Sequence, residues 1–346
     1  MKAKSYASKS ANSKLEFYEF DRREPNEYDV EFDVKFCGVC HSDIHTARGE
    51  WGEVAYPCIP GHEIVGIVTR VGSNVKTFKP GDRVGVGCMV NSCAECEPCK
   101  NNLETYCDND PTWTYSSVDR IDSTDTKGGY STAMVAPEKF VMSIPDSLDF
   151  AHAAPLLCAG ITMYSPLKHW GVKKGMKVGI LGLGGLGHMG VKYAKAMGSE
   201  VYVITSSPSK EKAALEYGAT GIIISTDQAA VESAHKMFDL IIDTIPGKHD
   251  LEPYLAMLRV DGTIVQVGPI ATEMTFNALL QRRTSIAGSG IGSVAETKEM
   301  LQFSADHGIL PDIDVIDISK INEAWDSMVA KQMSHRYVID IENSFK

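Results

Sequence analysis

Four cysteines within a short segment form the densest group of metal-binding side chains in this sequence. Their spacing is C-x2-C-x2-C-x7-C, and they stand at Cys93, Cys96, Cys99 and Cys107. Short loops between cysteines can place four sulfurs around one ion, and a closed set of thiolates is a common form of structural Zn²⁺ site. The spacing therefore predicts a structural metal lobe.

A second, dispersed set of ligand-type residues accompanies this lobe. Cys40, His62 and Cys158 each lie in a short segment that contains glycine. Two cysteines and one histidine leave the fourth zinc position open, and zinc with an open position acts as a Lewis acid on an alcohol or carbonyl oxygen. A lone histidine is usually a polar residue whose hydrogen bonds are satisfied within the protein. His62 is therefore a candidate metal ligand only in combination with Cys40 and Cys158. We expect one structural and one catalytic metal ion.

Alternative interpretations exist for the segment that begins at Cys37 and ends at Cys40-His41. C-x-x-C-H can attach a c-type haem, and C-x-x-C can be a redox pair. Haem attachment requires export, a redox pair requires a different flanking fold, and we favour Cys40 as a metal ligand. The remaining cysteines are expected to be small core residues; they are Cys37, Cys58 and Cys88.

A glycine-rich segment matches the G-x-G-x-x-G fingerprint of dinucleotide-binding proteins. Its residues are Gly182, Leu183, Gly184, Gly185, Leu186 and Gly187. The segment follows a predicted strand and opens a predicted helix, which is the context that the fingerprint requires. Gly182 permits the tight turn, Gly184 lets the backbone approach a pyrophosphate, and Gly187 lets the helix pack on the strand. The helix N-terminus would attract the anion. A glycine-rich turn without a ligand is the alternative.

The residues after the next strand favour NADP(H) over NAD(H). NAD sites usually carry an acidic residue about 20 positions after the glycine loop, where it binds the ribose 2′-hydroxyl. This chain has no carboxylate there. It carries Ser206, Ser207 and Lys210, whose hydroxyls and positive charge suit a 2′-phosphate. The serines could also cap the following helix, and both roles are compatible.

Two hydrophobic patterns indicate the elements that position these residues. The first ~150 residues contain short β-branched runs between Gly, Pro and Asp, which predict an irregular all-β domain. From about residue 155, apolar runs alternate with helical stretches, which predicts a doubly wound parallel sheet of the Rossmann type. The predicted strands cover 30–36, 64–71, 83–86, 177–181, 200–204, 221–224, 238–243 and 263–267.

These patterns predict three segments. A catalytic zinc domain covers residues 1–152, a dinucleotide-binding domain covers 153–288, and residues 289–346 return to the first domain. The return contains a predicted helix at 295–307 and a terminal strand at 336–341.

Composition limits the classes of partner. The chain has 346 residues, of which 43% are hydrophobic and 23% charged, as in globular proteins. A net charge of −11 argues against nucleic acid or an anionic membrane as the main partner. The polar N-terminus has no secretory apolar region, and no apolar run is long enough for a membrane span. We therefore expect a cytoplasmic protein whose cysteines are not paired in disulfides.

With these residues in hand, the sequence resembles the zinc-dependent medium-chain alcohol dehydrogenases, and most of all the cinnamyl alcohol dehydrogenase branch. The resemblance covers nearly the whole chain. It rests on residues 38–43, 60–63, the four-cysteine lobe, residues 158–162 and the glycine loop. It implies a GroES-like catalytic domain beside the Rossmann domain.

The resemblance also implies roles for the metal-binding residues. Cys40, His62 and Cys158 would hold the catalytic Zn²⁺, with Glu63 as an occasional fourth ligand. Asp43 would hold the second ring nitrogen of His62. The four-cysteine lobe would hold the structural Zn²⁺, which makes two zinc ions per chain.

Further implied roles concern the reaction. Ser42 would start a proton relay that passes through the nicotinamide ribose to His45, and Thr162 would line the nicotinamide site. Ser206, Ser207 and Lys210 would meet the 2′-phosphate. The activity implied is reversible hydride transfer between a primary alcohol or aldehyde and NADP(H), mainly as a broad-range aldehyde reductase.

The sequence leaves several questions of specificity open. Gly290 stands where plant relatives usually carry a bulky aromatic residue, which indicates a wider or differently shaped pocket. Trp51 and Trp113 would line that pocket or pack in the core. The alternatives are a polyol or secondary-alcohol dehydrogenase of the same fold and a catalytically silent nucleotide-binding sensor. A homodimer formed through the sheet edge around residues 284–288 is also expected.

Overall fold

The structure is a computed structural model that describes residues 1–268, 277–330 and 336–346. The chain forms two compact units. One consists of Met1–Cys158 with Ser293–Lys346, and the other of Ala159–Gly292. The predicted boundaries at 152/153 and 288/289 stay a prediction, because a compact unit need not be an independently folding domain.

The N-terminal part of the first unit is rich in short strands. The strands are β1 (Lys2–Ser8), β2 (Leu15–Asp21), β3 (Asp29–Gly38), β4 (Ile64–Val71), β5 (Arg83–Val86), β6 (Met89–Asn91), β7 (Thr112–Trp113), β8 (Ala133–Pro137) and β9 (Met142–Ser143). The helices are α1 (His41–Ala47), α2 (Glu97–Lys100) and α3 (Phe150–Pro155), and a π-helical turn at Leu156–Gly160 follows α3. The predicted strands at 64–71 and 83–86 have the bounds of β4 and β5.

The second unit alternates helices and strands. Its elements are α4 (Ile161–His169), β10 (Lys177–Leu181), α5 (Gly187–Ala196), β11 (Glu200–Thr205), α6 (Glu211–Glu216), β12 (Gly221–Ile224), α7 (Gln228–Ser233), β13 (Phe238–Asp243), α8 (Glu252–Met257), β14 (Leu258–Gln266), α9 (Asn277–Arg282) and β15 (Ser285–Gly288). The five strands predicted here are confirmed, although β14 begins five residues before the predicted start at 263.

The strands of the second unit form one parallel sheet in the order β12-β11-β10-β13-β14-β15. This is the doubly wound order, in which ligands bind beyond the carboxyl ends of the strands at the point where the order reverses. That point lies between β10 and β13. The glycine segment follows β10 directly, so the topology places it at the expected binding edge.

The C-terminal part returns to the first unit. Its elements are α10 (Val294–His307), β16 (Ile313–Ile316), α11 (Ile321–Val329), β17 (Arg336–Asp340) and α12 (Ile341–Ser344). β17 pairs with β3 in an antiparallel register, and the sheet runs β16-β17-β3-β4-β5-β9 with β8 also paired to β3. The end of the chain is therefore built into the sheet that carries the ligand segments.

Each unit has its own hydrophobic core. The first core packs Phe32, Ile64 and Tyr130 with other buried residues, and the second packs Phe238, Ile241 and neighbouring aliphatic residues. Across residues 1–268, 277–330 and 336–346, no helix has the length and apolar character that a membrane span requires.

Candidate functional site

The dispersed metal-binding residues come together in the first unit. Cys40 precedes the first turn of α1, His62 and Glu63 precede β4, and Cys158 lies in the π-helical turn after α3. Each offers one ligand atom, and these atoms all lie within 4.8 Å of one another. Two thiols, an imidazole and a carboxylate at this separation form a donor set that suits Zn²⁺.

A buried carboxylate orients the histidine of this set. Oδ1 of Asp43 accepts hydrogen bonds from Nδ1 of His62 at 2.9 Å and from the Gly61 amide at 3.1 Å. Oδ2 accepts from the Cys40 amide and the Tyr130 hydroxyl, both at 3.0 Å. The carboxylate keeps the proton on Nδ1, which leaves Nε2 of His62 as the nitrogen available to a metal.

The electrostatics favour a thiolate at this cluster. A hydrogen bond with Cys158 lowers the pKa of Cys40 well below its ordinary value, and the same bond raises the pKa of Cys158. Burial alone would lower the pKa of His62, but the Asp43 carboxylate raises it well above its ordinary value. These two directions favour a thiolate at Cys40 beside a protonated His62 ring, so binding of a cation here would release protons.

Glu63 has one paired and one unpaired oxygen. Oε1 accepts a hydrogen bond from Nη2 of Arg336, the first residue of β17. Oε2 is buried without a hydrogen-bond partner among the residues that the structure describes. Burial raises the pKa of Glu63 to about 8, against the lowering effect of Arg336. One carboxylate oxygen of Glu63 lies within 4.8 Å of the other three ligand atoms, and an oxygen without a hydrogen-bond partner leaves this carboxylate able to make an additional metal contact.

A glycine makes room for Glu63. A β-carbon added to Gly38, the last residue of β3, would lie 1.9 Å from Oε2 of Glu63. The glycine of the Gly38-Val39-Cys40 segment is therefore required by close packing. The pattern of this segment indicates a ligand role for Cys40, but it carries no signal for the packing role of Gly38 or for the contribution of Arg336.

The four-cysteine lobe also has metal-site geometry. All four ligand sulfurs lie within 4.8 Å of one another. The sulfurs of Cys93 and Cys99 are 3.9 Å apart, as are those of Cys96 and Cys107. Four sulfurs at about 2.3 Å from a central Zn²⁺ would be separated by about 3.8 Å. The lobe is thus close to the dimensions of a tetrahedral site.

The two residues predicted for proton transfer, Ser42 and His45, both lie on α1. The Ser42 hydroxyl oxygen is 3.6 Å from the Cys40 sulfur. Nδ1 of His45 is 2.5 Å from Oε2 of Glu50, and the His45 ring stacks on Trp51 with 5.0 Å between centroids. Trp51 is 52% exposed, so its alternative assignment to the core is wrong. No motif or spacing indicates a role for Glu50, which lies just beyond the end of α1.

Two more side chains lie next to the ligand cluster of Cys40, His62, Glu63 and Cys158. The Tyr115 ring stacks on the His62 ring with 5.9 Å between centroids. Cys88 was expected in the core but is only partly buried, and a hydrogen bond with Cys158 lowers its pKa. Cys37 and Cys58 are buried in the first core as predicted. The reason for the difference is that Cys88 follows β5 at the point where the chain passes the π-helical turn.

The glycine segment has the geometry that its three key glycines predict. Gly182 has φ +92°, in the region that favours glycine. A β-carbon at Gly187 would lie 2.1 Å from the Gly182 carbonyl oxygen, whereas one at Gly184 would meet no atom within 4 Å. Gly187 is therefore required by packing, and the space beside Gly184 is open as a bound pyrophosphate would need.

The residues predicted to bind a 2′-phosphate lie at the end of β11. Nζ of Lys210 donates a hydrogen bond to the Leu183 carbonyl at 2.6 Å, and burial lowers its pKa. Ser206 is exposed, and the hydroxyls of Ser207 and Ser209 are 2.8 Å apart. A cation and several hydroxyls thus lie next to the glycine loop. Thr162 is buried on α4, and Trp113 is 39% exposed and not a core residue.

Comparison with protein families gives two matches. The description "Alcohol dehydrogenase GroES-like domain" matches residues 26–146, and "Zinc-binding dehydrogenase" matches residues 185–306. Together these segments cover more than half of the chain.

Curated relatives match over almost their whole length. The chain is 47% identical over 340 residues to NADP-dependent alcohol dehydrogenase C of Mycobacterium bovis, which covers 97% of each chain. It is 49% identical over 351 residues to a probable mannitol dehydrogenase of Fragaria ananassa, covering 100% of this chain and 97% of the relative. It is 46% identical over 345 residues to the aldehyde reductase YahK of Escherichia coli, covering 98% of each.

Solved structures agree with these relatives. A cinnamyl alcohol dehydrogenase from Sorghum bicolor superposes with a TM-score of 0.96 at 42% identity, covering 99% of each chain. The cinnamyl alcohol dehydrogenase of Helicobacter pylori, solved with NADP(H), gives a TM-score of 0.94 at 41% identity and covers 100% of this chain and 99% of that one.

Proposed function

The chain belongs to the zinc-dependent medium-chain alcohol dehydrogenases, in the cinnamyl alcohol dehydrogenase branch, and we propose that it is an NADP(H)-dependent alcohol dehydrogenase that works mainly as a broad-range aldehyde reductase. The observation that carries the proposal is the convergence of Cys40, His62 and Cys158 within 4.8 Å. Three protein ligands of this kind leave a position for a substrate oxygen, as a catalytic zinc site requires.

The proposal assigns a ligand role to each member of the cluster. Cys40, His62 and Cys158 would hold the catalytic Zn²⁺, with Glu63 available as an occasional fourth ligand, and the four-cysteine lobe would hold a structural Zn²⁺. When bound, the catalytic ion supplies Lewis-acid polarisation of the substrate oxygen, and NADPH supplies the hydride. Asp43 keeps the His62 ring in the orientation that presents Nε2.

In this proposal, the proton delivered to the substrate oxygen passes between side chains of α1 and of the residues that follow this helix. Ser42 donates its hydroxyl proton towards the substrate oxygen during reduction and recovers a proton through the path that ends at His45. Nδ1 of His45 exchanges its proton with the partly exposed Glu50 carboxylate, which connects the path to water. The contact of 2.5 Å between Nδ1 of His45 and Oε2 of Glu50 supports a proton path between these two side chains.

The cofactor assignment rests on the glycine loop and on Lys210. The turn from Gly182 to Gly187 takes the pyrophosphate, Thr162 lines the nicotinamide site, and Ser206, Ser207 and Lys210 take the 2′-phosphate. Charge-assisted hydrogen bonds contribute about 1.5–3 kcal/mol each, so Lys210→Met should weaken NADPH binding by about 10- to 100-fold. NADH binding should change little, and equal losses for both cofactors would contradict the assignment.

The main experiment compares metal content and initial rates of the wild type and Cys40→Ser. We expect two zinc ions per wild-type chain, one in the variant, and loss of NADPH-dependent reduction of aromatic and aliphatic aldehydes. Cys58→Ala is the matched control, because Cys58 is buried in the core and belongs to neither ligand cluster. An active Cys40→Ser enzyme would overturn the catalytic assignment. A wild type that binds zinc and NADPH without turnover of any alcohol or aldehyde would favour the nucleotide-sensor alternative.

A polyol substrate is the second candidate. The observation that favours it is the 49% identity to a probable mannitol dehydrogenase over 100% of the chain. Oxidation of mannitol with a kcat/KM far above that of simple primary alcohols would support this candidate against the aldehyde reductase.

We also propose that the chain forms a homodimer through β15. This strand is the last in its sheet, and among the described strands it pairs only with β14, so one edge is available for a second copy. Light scattering of the purified protein would test this, and a monomer at micromolar concentration would contradict it.

A further inference from the structure

A buried carboxylate lies at the binding edge of the second unit and has no part in the function proposed above. Asp243 is the last residue of β13 and is 1% exposed. In the sheet register it stands between Leu181 of β10 and Gln266 of β14. An apolar residue would fill this position without the desolvation penalty of a carboxylate, so packing alone does not explain an acidic residue here.

The partners of Asp243 close a ring within the following loop. Oδ1 accepts a hydrogen bond from the Ile245 amide at 2.9 Å. Oδ2 is 2.8 Å from Nε2 of His249, and Nδ1 of His249 is 2.7 Å from the Gly247 carbonyl oxygen. A carbonyl oxygen only accepts, so Nδ1 carries a proton, and a further proton lies between Nε2 and Oδ2. His249 thus links the end of β13 to the middle of the loop that follows it.

The loop closed by this ring supports the glycine turn. Thr244 follows Asp243 directly, and its amide and hydroxyl both donate to the Leu181 carbonyl, at 3.0 and 2.8 Å. A β-carbon at Gly182 would lie 2.8 Å from Oγ1 of Thr244, so the two segments are in close contact. Any movement of residues 244–249 would therefore reach the first glycine of the fingerprint.

We propose that Asp243 and His249 form a clamp that holds residues 244–249 against the glycine turn and thereby sets the affinity for the dinucleotide. Both are positioning residues, because they act through Thr244 and Gly182 rather than on the reacting atoms. The inference rests on the proposed function for the identity of the ligand, NADP(H). The clamp explains why a buried carboxylate at the end of β13 is paired with a histidine of the following loop.

The experiment uses His249→Gln and Asp243→Asn in the full chain, with His235→Gln as the control. His235 is an exposed histidine of the same unit, just before β13. NADPH affinity is measured from nucleotide fluorescence, and amide hydrogen exchange is followed at residues 244–249. We expect NADPH to bind about tenfold more weakly in both variants, as loss of a charge-assisted hydrogen bond predicts, and exchange at 244–249 to accelerate. At saturating NADPH, kcat should remain close to that of the wild type.

Several outcomes would overturn the clamp. Wild-type affinity and wild-type exchange in His249→Gln would do so, as would a fall in kcat with unchanged NADPH affinity. If these variants do not fold, Thr244→Val tests the same link. Loss of one neutral hydrogen bond should weaken NADPH binding by about threefold. Unchanged NADPH affinity in Thr244→Val would contradict the clamp. A wild type that does not bind NADPH would refute the proposed cofactor instead. In that case unchanged exchange at 244–249 in His249→Gln would still overturn the clamp.

Discussion

The Asp43 carboxylate is hydrogen-bonded to Nδ1 of His62 at 2.9 Å, and both side chains are buried. The same carboxylate accepts bonds from two backbone amides and from Tyr130, so its position is fixed from several sides. A histidine held in this way loses little further rotamer entropy when it binds a metal ion. The carboxylate that orients the ring is therefore as much a part of the site as the ring itself.

Asp43→Asn should weaken zinc binding at the catalytic site. An asparagine cannot supply the negative charge that raises the basicity of His62, and removal of such a partner lowers metal affinity by about 10- to 100-fold. Competition with a chromophoric chelator would measure the change. Tyr130→Phe is the comparison, because it removes one of the four bonds to Asp43 and leaves the charge, so its effect should be smaller. Equal affinities in wild type and Asp43→Asn would contradict the orienting role.

A second prediction concerns the order in which the thiols of the four-cysteine lobe react. A hydrogen bond from the Glu95 backbone amide is the main reason why the pKa of Cys93 is lowered to about 6, whereas burial raises the pKa of Cys96. After removal of metal with a chelator, iodoacetamide at pH 7 should alkylate Cys93 before Cys96. The rate at Cys93 should fall on acidification through a midpoint of about 6, because the thiolate is lost there. Peptide mass spectrometry would follow both sites.

The control for this experiment is the zinc-loaded protein, in which neither thiol should react. Zinc requires thiolates, so metal and alkylating reagent compete for the same form of the sulfur. Equal rates at the two cysteines, or a midpoint for Cys93 near the ordinary thiol value, would contradict the prediction.

Local patterns in the sequence were sufficient to predict the fold and the four-cysteine lobe. The strands β10 and β13 are mostly apolar, and the four cysteines lie close in sequence, so short-range spacing specifies both. The doubly wound sheet follows from the alternation of strands and helices. These features depend on neighbours within one or two elements, which is the range that periodicity describes.

The features that the sequence did not indicate depend on contacts between distant segments. Glu63 and Arg336 are 273 positions apart, and nothing in either segment signals the other. Cys88 looked like a core residue because its neighbours in β5 are apolar, yet the approach of the π-helical turn places it beside Cys158. His249 lies in a loop, where spacing carries no period, so its contact with Asp243 became visible only in three dimensions.

The glycine turn supports a third prediction that separates folding from ligand binding. A β-carbon at Gly187 would collide with the Gly182 carbonyl, but one at Gly184 meets no atom within 4 Å. Gly187→Ala should therefore lower the thermal midpoint, since overpacking costs about 1–3 kcal/mol. Gly184→Ala should keep the wild-type midpoint without ligand and bind NADPH more weakly, because the methyl group would occupy the approach of the pyrophosphate. Undiminished NADPH binding in Gly184→Ala would place the pyrophosphate elsewhere.

The ion pair between Glu63 and Arg336 supports a fourth prediction. Both side chains are buried, and removal of one member of such a pair costs about 3–5 kcal/mol because it leaves the other charge without compensation. Arg336→Met should therefore lower the free energy of unfolding by about this amount above pH 8, where the Glu63 carboxyl of the wild type is ionised, in urea titrations of chelator-treated protein. Arg283→Met is the matched control, since Arg283 pairs with Asp261 at the surface and such pairs contribute at most about 1 kcal/mol.

The pH dependence of the same measurement has a definite sign. Burial raises the pKa of Glu63 from 4.5 to about 8, so between these values the folded protein keeps a proton that the unfolded chain has lost. The contribution of Glu63 therefore makes the protein less stable as pH rises from about 4.5 to 8. Without Arg336 the carboxylate loses its main stabilising charge, and the decrease should extend to higher pH in Arg336→Met. If the variant were instead to gain stability over this range relative to the wild type, the pair would not have the electrostatic role assigned to it.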